Sequence, residues 1–386
     1  MDIAKLLDTK KIVAWRRHLH MHPEVAFQEF ETTKYLIDEL GKYPEIEIHR
    51  PAATGLVAVL KGAKPGKVIG LRADIDALPI LEEADVEFKS KNPGVMHACG
   101  HDCHTAMLLG AVDLLYRKKD ELAGTVKFIF QHAEELLPGG AAEIAKTGIL
   151  DDVEAFFGTH VFVDNPAGTV RGAVGPVSAN ADSFSIKLYG KGVHAARPEK
   201  GVDTLLIGTE IVQALNFIVS RNVSAFDNAV VTVAAFNAGN AHNIIPDTAE
   251  ILGTVRTTKQ DVRDAIEKRI KDVVDGICTA YGARHEVNYL RGYAAVVNDE
   301  GLYDYFKQIA AKTLPDVKVE EMRPMMGGED FSVYGTIAPA FFANIGAKPK
   351  GDEYFQGHHP KYQIDEDALP VGAALYAAFA IHAGKI

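Results

Sequence analysis

The chain has 386 residues, of which 47% are hydrophobic and 24% are charged, and its formal net charge is −11. This length exceeds one ordinary hydrophobic core, so we expect two domains, and the composition is that of a soluble globular protein. An acidic surface without a basic run argues against nucleic acid or an anionic membrane as a partner.

The N-terminal residues 1–15, MDIAKLLDTKKIVAW, lack the apolar segment and the cleavage site of a secretory signal. No run of eighteen apolar residues, as a membrane span would need, occurs in the sequence. Cysteine occurs three times, at positions 99, 103 and 278, and such a small odd number is typical of a reducing compartment. We therefore expect a cytoplasmic protein in which a clustered cysteine is a ligand or nucleophile.

Strands and helices are predicted to alternate in the first half of the chain. Near-continuous apolar runs are typical of strands buried on both faces, and they occupy 55–62, 67–79, 125–135 and 154–162. Helical patterns over 104–118 and 138–148 lie between these runs. This alternation predicts an α/β fold with a mixed sheet covered by helices on both faces.

The pattern changes after residue 178. Strand, helix, strand, strand, helix and strand follow over 182–192, 203–221, 228–239, 248–258, 259–283 and 284–293. This βαββαβ order predicts a ferredoxin-like unit. The first pattern resumes from residue 299, with a strand at 340–346 and a helix at 366–384. We therefore predict one domain made of 1–177 and 293–386, and an inserted domain at 178–292.

Acidic and imidazole groups stand near the ends of three predicted strands. Asp74 and Asp76 lie on the second strand, Glu134 and Glu135 end the third, and His160 is near the end of the fourth. In open α/β sheets, ligands bind beyond the carboxyl ends of the strands. These groups therefore predict a ligand site at that edge.

The stretch 96–107, MHACGHDCHTAM, adds three histidines, two cysteines and an aspartate, and it leads into the predicted helix over 104–118. Cys99 and His101 are two residues apart in a glycine-containing turn, so both can point into one pocket. Imidazole, carboxylate and thiolate groups bind Zn²⁺, Mn²⁺, Co²⁺ or Ni²⁺. One glutamate of the pair 134–135 could bind metal while the other faces bound water as a general base. The loop GHHP at 357–360 offers a further imidazole.

Several neighbouring residues are interpreted as structural or supporting ones: His18, His20, His22, Asp102, Cys103, His104 and Cys278. Asp74 stays open as a metal ligand, a supporting carboxylate or a partner of Arg72.

Nine motifs along the chain are similar to those of one enzyme family. They are LHMHPEVAFQEFETT (19–33), LRADIDALPI (71–80), MHACGHDCHTAM (96–107), QHAEE (131–135), GVHAARPEKGVD (192–203), NIIPD (243–247), GTVRT (253–257), MGGEDFS (326–332) and HHPKYQIDEDAL (358–369). In order and over essentially the whole chain, they resemble the M20 metallopeptidase family. The amidohydrolase branch, with hippurate hydrolase, aminoacylases and auxin–amino acid conjugate hydrolases, is the most similar.

The resemblance implies a metal-dependent amidohydrolase with two divalent ions per subunit, Mn²⁺ first and Zn²⁺, Co²⁺ or Ni²⁺ as alternatives. It would cleave N-acetyl or N-aroyl amino acids into a carboxylate and a free amino acid. The inserted domain would be a lid through which a homodimer forms.

The resemblance also implies roles for single residues. Cys99 looks like a bridging metal ligand, joined by His101, Glu135, His160 and His358, with His359 as the alternative to His358. Glu134 looks like the general base. His194 resembles a histidine that polarises the scissile carbonyl, in its own chain or across a dimer interface, and Asn243 and Arg256 resemble substrate-anchoring residues.

The chain departs from its relatives at two cysteines. Cys103 stands where relatives often carry glycine, and Cys99 stands where other branches bridge the metals with aspartate. The metal preference of those branches therefore does not transfer to this chain.

Three other functions stay open. One is a dipeptidase or aminopeptidase of the same superfamily. Another is a non-catalytic metal-binding protein, which would leave Glu134 unexplained. The third is a thiol enzyme using Cys99, which would remain active in EDTA.

Overall fold

The structure is a computed structural model that describes residues 3–351 and 353–385. Its α-helices are α1 (Thr9–Met21), α2 (Phe30–Leu40), α3 (His101–Arg117), α4 (Gly140–Lys146), α5 (Thr204–Asn222), α6 (Gln260–Tyr281), α7 (Glu300–Thr313) and α8 (Leu369–Ile381). Short 3₁₀ turns occupy Ala4–Leu6, Pro198–Lys200, Asp330–Thr336, Glu366–Ala368 and Ala383–Lys385.

The strands are β1 (Glu47–His49), β2 (Leu56–Lys61), β3 (Lys64–Asp74), β4 (Ala123–Gln131), β5 (Ala155–Pro166), β6 (Thr169–Gly172), β7 (Gly175–Pro176), β8 (Asn180–Tyr189), β9 (Val193–His194), β10 (Ala229–Ala238), β11 (Ile244–Ile245), β12 (Thr248–Thr257), β13 (Arg284–Arg291), β14 (Val297–Asn298), β15 (Lys318–Glu321) and β16 (Ala340–Lys348). The predicted strands over 67–79 and 125–135 are therefore shorter at their C-terminal ends, where they stop at Asp74 and Gln131.

The chain divides into two compact units by its internal contacts. The first unit holds residues 1–177, 296–323 and 330–386, and the second holds 178–295 and 324–329. The short segment 324–329 thus belongs with the second unit, which the sequence pattern did not indicate.

The first unit is built on a mixed eight-stranded sheet, counted over the described residues, in the order β1-β2-β4-β3-β5-β16-β6-β15. Its central strands β4, β3, β5 and β16 run parallel to one another, and antiparallel pairs flank them. The carboxyl ends of these four parallel strands therefore lie at one edge of the sheet, and the prediction of a mixed α/β sheet is confirmed.

Both faces of this sheet are buried, which explains the continuous apolar runs. On β2, Leu56 and Ala58 pack into a core with α1, α3, α7 and α8, while Val57 and Val59 pack on the opposite side with α4 and the turn 330–336. Successive side chains point to opposite faces of a strand. A strand covered on both sides therefore needs apolar residues at every position.

The second unit has the βαββαβ order that the sequence predicts for a ferredoxin-like domain. Its antiparallel sheet runs β10-β12-β8-β13, and apolar residues of this sheet share one core with α5 and α6. Asp203 caps the N-terminus of α5, because its carboxylate accepts hydrogen bonds from the amides of Leu205 and Leu206.

Across the described residues, no helix combines the length and the apolar character that crossing a membrane would require.

Candidate metal centre

A left-handed glycine brings Cys99 and His101 to the edge of the first sheet. Gly100 has φ 91° and directly precedes α3. A Cβ atom at this position would lie 2.4 Å from Cγ2 of Val161, so a side chain fits neither the backbone conformation nor the space. The glycine between the two candidate ligands is therefore required for the turn itself.

The thiol of Cys99 lies beside the imidazole of His160 on β5. Sγ of Cys99 is 3.4 Å from Nε2 of His160, and together with His101 they form a group whose possible ligand atoms lie within 4.8 Å of one another. Nδ1 of His160 donates to the carbonyl of Val161 at 2.8 Å. That bond fixes the tautomer, so the Nε2 lone pair faces the thiol.

Asp76 orients the ring of His101. Nδ1 of His101 lies 3.0 Å from the carbonyl oxygen of Asp76 and 3.2 Å from its Oδ1. Nε2 of His101 is buried and has no hydrogen-bond partner among the described residues. A histidine held through Nδ1 with an orphaned Nε2 is the arrangement of a metal ligand.

Glu134 and Glu135 reach the same place from a turn rather than from a strand. β4 ends at Gln131, and Ala133 adopts φ 50° before the two glutamates. Oε2 of Glu134 lies 3.9 Å, and Oε1 of Glu135 3.8 Å, from Nε2 of His101. The pair was predicted at the end of a strand but lies in the turn after it, and the bent backbone there brings both carboxylates toward one imidazole.

His358 completes a second group with Cys99 and Glu135. Its Nε2 lies 3.4 Å from Oε1 of Glu135, and its backbone amide donates to the carbonyl of Ala98. His359 instead stacks on Phe355 and accepts a hydrogen bond from the amide of Lys361. The geometry therefore favours His358 over its neighbour as the ligand in this loop.

The two groups share Cys99, and together they suit borderline transition metals. Burial lowers the pKa of His160 well below its usual value, which keeps its imidazole neutral and able to bind a metal. Burial and the Glu135 carboxylate raise the pKa of Cys99. A bound cation would offset that cost by stabilising the thiolate, as it does for coordinating thiols in general. The donor set and the orphaned His101 nitrogen therefore fit divalent metal ions.

Asp74 and His104 support the site from behind it. Nδ1 of His104 donates to Asp74 at 2.6 Å, and its Nε2 accepts from the amide of Val161 at 2.9 Å, so both ring nitrogens are engaged. Arg72 donates to the other oxygen of Asp74 at 2.7 Å. Of the three roles considered for Asp74, the contacts favour the partner of Arg72 and the supporting carboxylate.

A buried network holds the start of α3. His20 lies between Asp102, 2.8 Å from its Nδ1, and Glu82, 3.1 Å from its Nε2, and Arg16 donates to Asp102 at 2.8 Å. The interpretation of His20 and Asp102 as supporting residues agrees with these contacts. Glu82 was not among the predicted residues, because it lies outside the motifs shared with the M20 family.

The remaining candidate residues lie in the second unit. His194 on β9 is exposed and pairs with Ile244 on β11, while the carbonyl of Asn243 accepts from the amide of Ala195. Nδ1 of His194 accepts from the amide of Ala196 at 3.1 Å, which leaves Nε2–H as a donor.

Arg256 lies near the C-terminal end of β12 in the same unit. Its guanidinium donates to the side chain of Thr254 and to the carbonyls of Asp182 and Val255.

Comparisons with known proteins agree on one family. Residues 70–382 match the model of Peptidase family M20/M25/M40. The chain is 45% identical over 303 residues to the N-acyl-L-amino acid amidohydrolase of Geobacillus stearothermophilus, which covers 78% of this chain and 82% of that protein. It is 41% identical to the N-acetylcysteine deacetylase of Bacillus subtilis, with 96% of each chain covered.

A solved structure extends the likeness to three dimensions. The crystal structure of a dinuclear metal binding peptidase from the M20 family of Bacillus subtilis superposes with a TM-score of 0.85 at 37% identity. The match covers 97% of both chains.

Proposed function

The chain belongs to peptidase family M20/M25/M40, and from this premise we propose that it hydrolyses the amide bond of N-acyl amino acids. Its relatives and its donor set identify it as a metal-dependent amidohydrolase. The proposed substrates carry an acetyl or aroyl group, and the products are a carboxylate and a free amino acid. The names of two relatives, an N-acyl amino acid amidohydrolase and an N-acetylcysteine deacetylase, support this substrate class.

The proposed ligands of two divalent ions are Cys99, His101, Glu135, His160 and His358, with Cys99 shared between the two groups. The resemblance to the M20 family makes Mn²⁺ the first candidate, and the thiolate and imidazole donors suit Zn²⁺, Co²⁺ or Ni²⁺ as alternatives. When bound, such ions lower the pKa of water and polarise a carbonyl oxygen. The observation that supports this proposal is that two groups of possible metal ligands share the thiol of Cys99, and that the carboxylate of Glu134 lies beside them.

Glu134 is the proposed general base. It takes a proton from the attacking water as the new C–O bond forms, and it delivers a proton to the amine nitrogen as the C–N bond breaks. Glu134 and Glu135 are adjacent, and both carboxylates lie within 3.9 Å of Nε2 of His101. One of them can therefore bind metal while the other acts as the general base and acid.

The second unit is proposed to supply contacts to the substrate. The exposed Nε2–H of His194 is suited to donate to the carbonyl oxygen that becomes negative during attack. Arg256 would pair with the carboxylate of the amino acid, and Asn243 would anchor the substrate. We further propose that residues 178–292 form a lid through which a cytoplasmic homodimer assembles, with His194 acting in its own chain or in its partner.

Peptide hydrolysis is the second candidate, because the similar solved structure is described as a peptidase. A dipeptidase or aminopeptidase needs a partner for a free α-amine, usually a carboxylate. An acyl-amino acid hydrolase has no such requirement.

A substrate panel separates these functions. Metal-reconstituted protein is assayed with N-acetyl, N-benzoyl and longer N-acyl amino acids, with N-acetyl-diaminopimelate and with dipeptides. Turnover of acyl amino acids that EDTA abolishes is the expected result. Preference for dipeptides would support the peptidase, activity that survives EDTA would support a thiol enzyme, and no turnover of any substrate would revive a non-catalytic metal-binding protein.

A further inference from the structure

The buried carboxylate of Glu29 contacts the backbone beside Glu134 and Glu135, although it is distant from them in sequence. Glu29 stands just before α2 and is fully buried. Its Oε2 accepts from the hydroxyl of Thr54 at 2.8 Å, and its Oε1 accepts from the amide of Ala133 at 2.8 Å. Ala133 immediately precedes Glu134, so one oxygen of Glu29 holds the backbone from which the proposed base projects.

That backbone is in a conformation that alanine rarely adopts. Ala133 has φ 50°, in the left-handed region, where the Cβ of an L-residue crowds the following carbonyl oxygen. Such a conformation persists only when surrounding contacts impose it. The amide of Ala133 bonds to Glu29, and its carbonyl accepts from the amide of Gly140 at 3.1 Å. The backbone N–H and the carbonyl of Ala133 are thus both hydrogen-bonded to residues outside this turn.

The next contact along the chain is of the same kind. The amide of Glu135 donates to Oδ2 of Asp76 at 3.0 Å, and the same aspartate orients His101. Two buried carboxylates therefore hold the turn that carries Glu134, one before it and one after it. A displacement of about 1 Å in such a group can cost about 100-fold in rate.

Keeping a carboxylate at position 29 is costly. Burial raises the pKa of Glu29, while hydrogen bonds from backbone amides and Thr54 lower it, and the nearby Asp76 carboxylate raises it again. An apolar side chain of similar size would remove this cost, but it would leave the amide of Ala133 buried without an acceptor. The side chain of Glu29 therefore provides a hydrogen-bond acceptor for the buried amide of Ala133.

We infer that Glu29 is a positioning residue, which holds the left-handed turn at Ala133 and thereby aims Glu134. The inference rests on the proposed role of Glu134 as the base. Glu29 itself would touch neither the substrate nor the metal ions.

Three variants test this role. Glu29→Met keeps the approximate volume but removes both acceptors, Glu29→Gln keeps an acceptor for Ala133, and Thr54→Val removes the other bond of Glu29 while leaving the Ala133 contact in place. We expect kcat of Glu29→Met to fall about 10-fold to 100-fold, the range found when a supporting contact is lost. Its KM and metal content should stay near the wild-type values. The other two variants should keep kcat within about threefold.

Hydrogen exchange gives a readout that does not depend on turnover. Amides of the segment 131–137 should exchange faster in Glu29→Met than in Glu29→Gln or Thr54→Val. If the wild-type protein hydrolyses no substrate of the panel, the proposed function fails, while faster exchange in Glu29→Met alone would still support the control of this turn by Glu29.

Three results would overturn the positioning role. They are unchanged kcat in folded Glu29→Met, an equal loss of kcat in Thr54→Val, or a loss of metal that accounts for the loss of activity. If Glu29→Met does not fold, Glu29→Asp replaces it, because the shorter side chain withdraws the carboxylate from Ala133 but keeps its charge. Unchanged kcat and exchange in Glu29→Asp would then reject the inference.

Discussion

The edge of the first unit where the candidate metal ligands lie and the core of the second unit bury different kinds of side chain. At the edge, the buried side chains include many charged ones: Arg16, Glu29, Arg72, Asp74, Asp76, Glu82, Asp102 and Asp330. The core of the second unit is largely aliphatic, with residues such as Ile211, Ile251 and Ile270 fully buried. The second unit also buries an ion pair, in which Arg263 donates to Asp182 at 2.9 Å.

This difference shows where the two regions obtain their stability. An isolated buried charge is costly, so the edge holds together only because its groups are paired, as when Arg72 bonds to both Asp74 and Asp330. The aliphatic core gains about 25 cal/mol for each Å² of apolar surface removed from water. Substitutions at the edge that leave these buried pairs intact should therefore change chemistry, and substitutions in the core should change stability.

The largest effect on turnover is expected from Glu134→Gln. The amide keeps the shape of the side chain but cannot accept a proton from water, so kcat should fall by about three orders of magnitude or more. Metal content and the unfolding midpoint should be unchanged. Glu121→Gln, an exposed glutamate of the same unit, is the matched control. Near wild-type turnover in Glu134→Gln would exclude this residue as the base.

Cys99→Ala should act on the metal first. Loss of a thiolate shared by both groups is expected to weaken metal affinity by about 100-fold or more, since even supporting contacts are worth 10–100-fold. Metal analysis after dialysis measures this loss, with Cys103→Ala as the control, because that buried thiol belongs to none of the candidate ligand groups among the described residues. Full metal content in Cys99→Ala would reject it as a ligand.

His194→Ala tests whether a residue of the second unit takes part in chemistry. Loss of one donor to a developing oxyanion typically costs about 100-fold in kcat or more. Metal content should not change, and His285→Ala in the same unit should be neutral. Turnover within a few-fold of the wild type would remove His194 from the mechanism.

Mixed dimers decide between the two possible arrangements of His194. If this histidine acts in its partner, a mixture of inactive His194→Ala and inactive Glu134→Gln should regain part of the activity after subunit exchange. Absence of recovery in dimers with proven exchange would leave His194 acting within its own chain.

The sequence predicted the sheet, the βαββαβ unit and the edge at which the candidate ligands meet, because periodicity and strand order are local signals. It did not predict the turn at Ala133 or the contacts of Glu29 and Glu82. Each of these depends on residues that are distant in sequence, such as the bond between Glu29 and the amide of Ala133. Glu29 lies within the quoted motif 19–33, which marked the segment without revealing what the carboxylate contacts.

The smallest effect on turnover is expected in the aliphatic core. Ile270 on α6 is fully buried among apolar side chains of the second unit. Ile270→Ala removes buried methyl and methylene groups and leaves a cavity, which should lower the free energy of unfolding by about 2–5 kcal/mol. At temperatures where the variant is folded, kcat and metal content should stay within about twofold of the wild type, because no group with a proposed chemical role is touched.

Chemical denaturation measures the loss of stability, and Ile277→Ala, a half-buried residue of the same helix, is the matched control with a smaller expected loss. Two transitions would let each unit be followed separately, and only that of the second should move. A tenfold fall in kcat of Ile270→Ala without a comparable loss of stability would contradict this division, because a core residue would then affect turnover directly. A shift confined to the second transition, with normal turnover below it, would show that the two regions divide stability and chemistry between them.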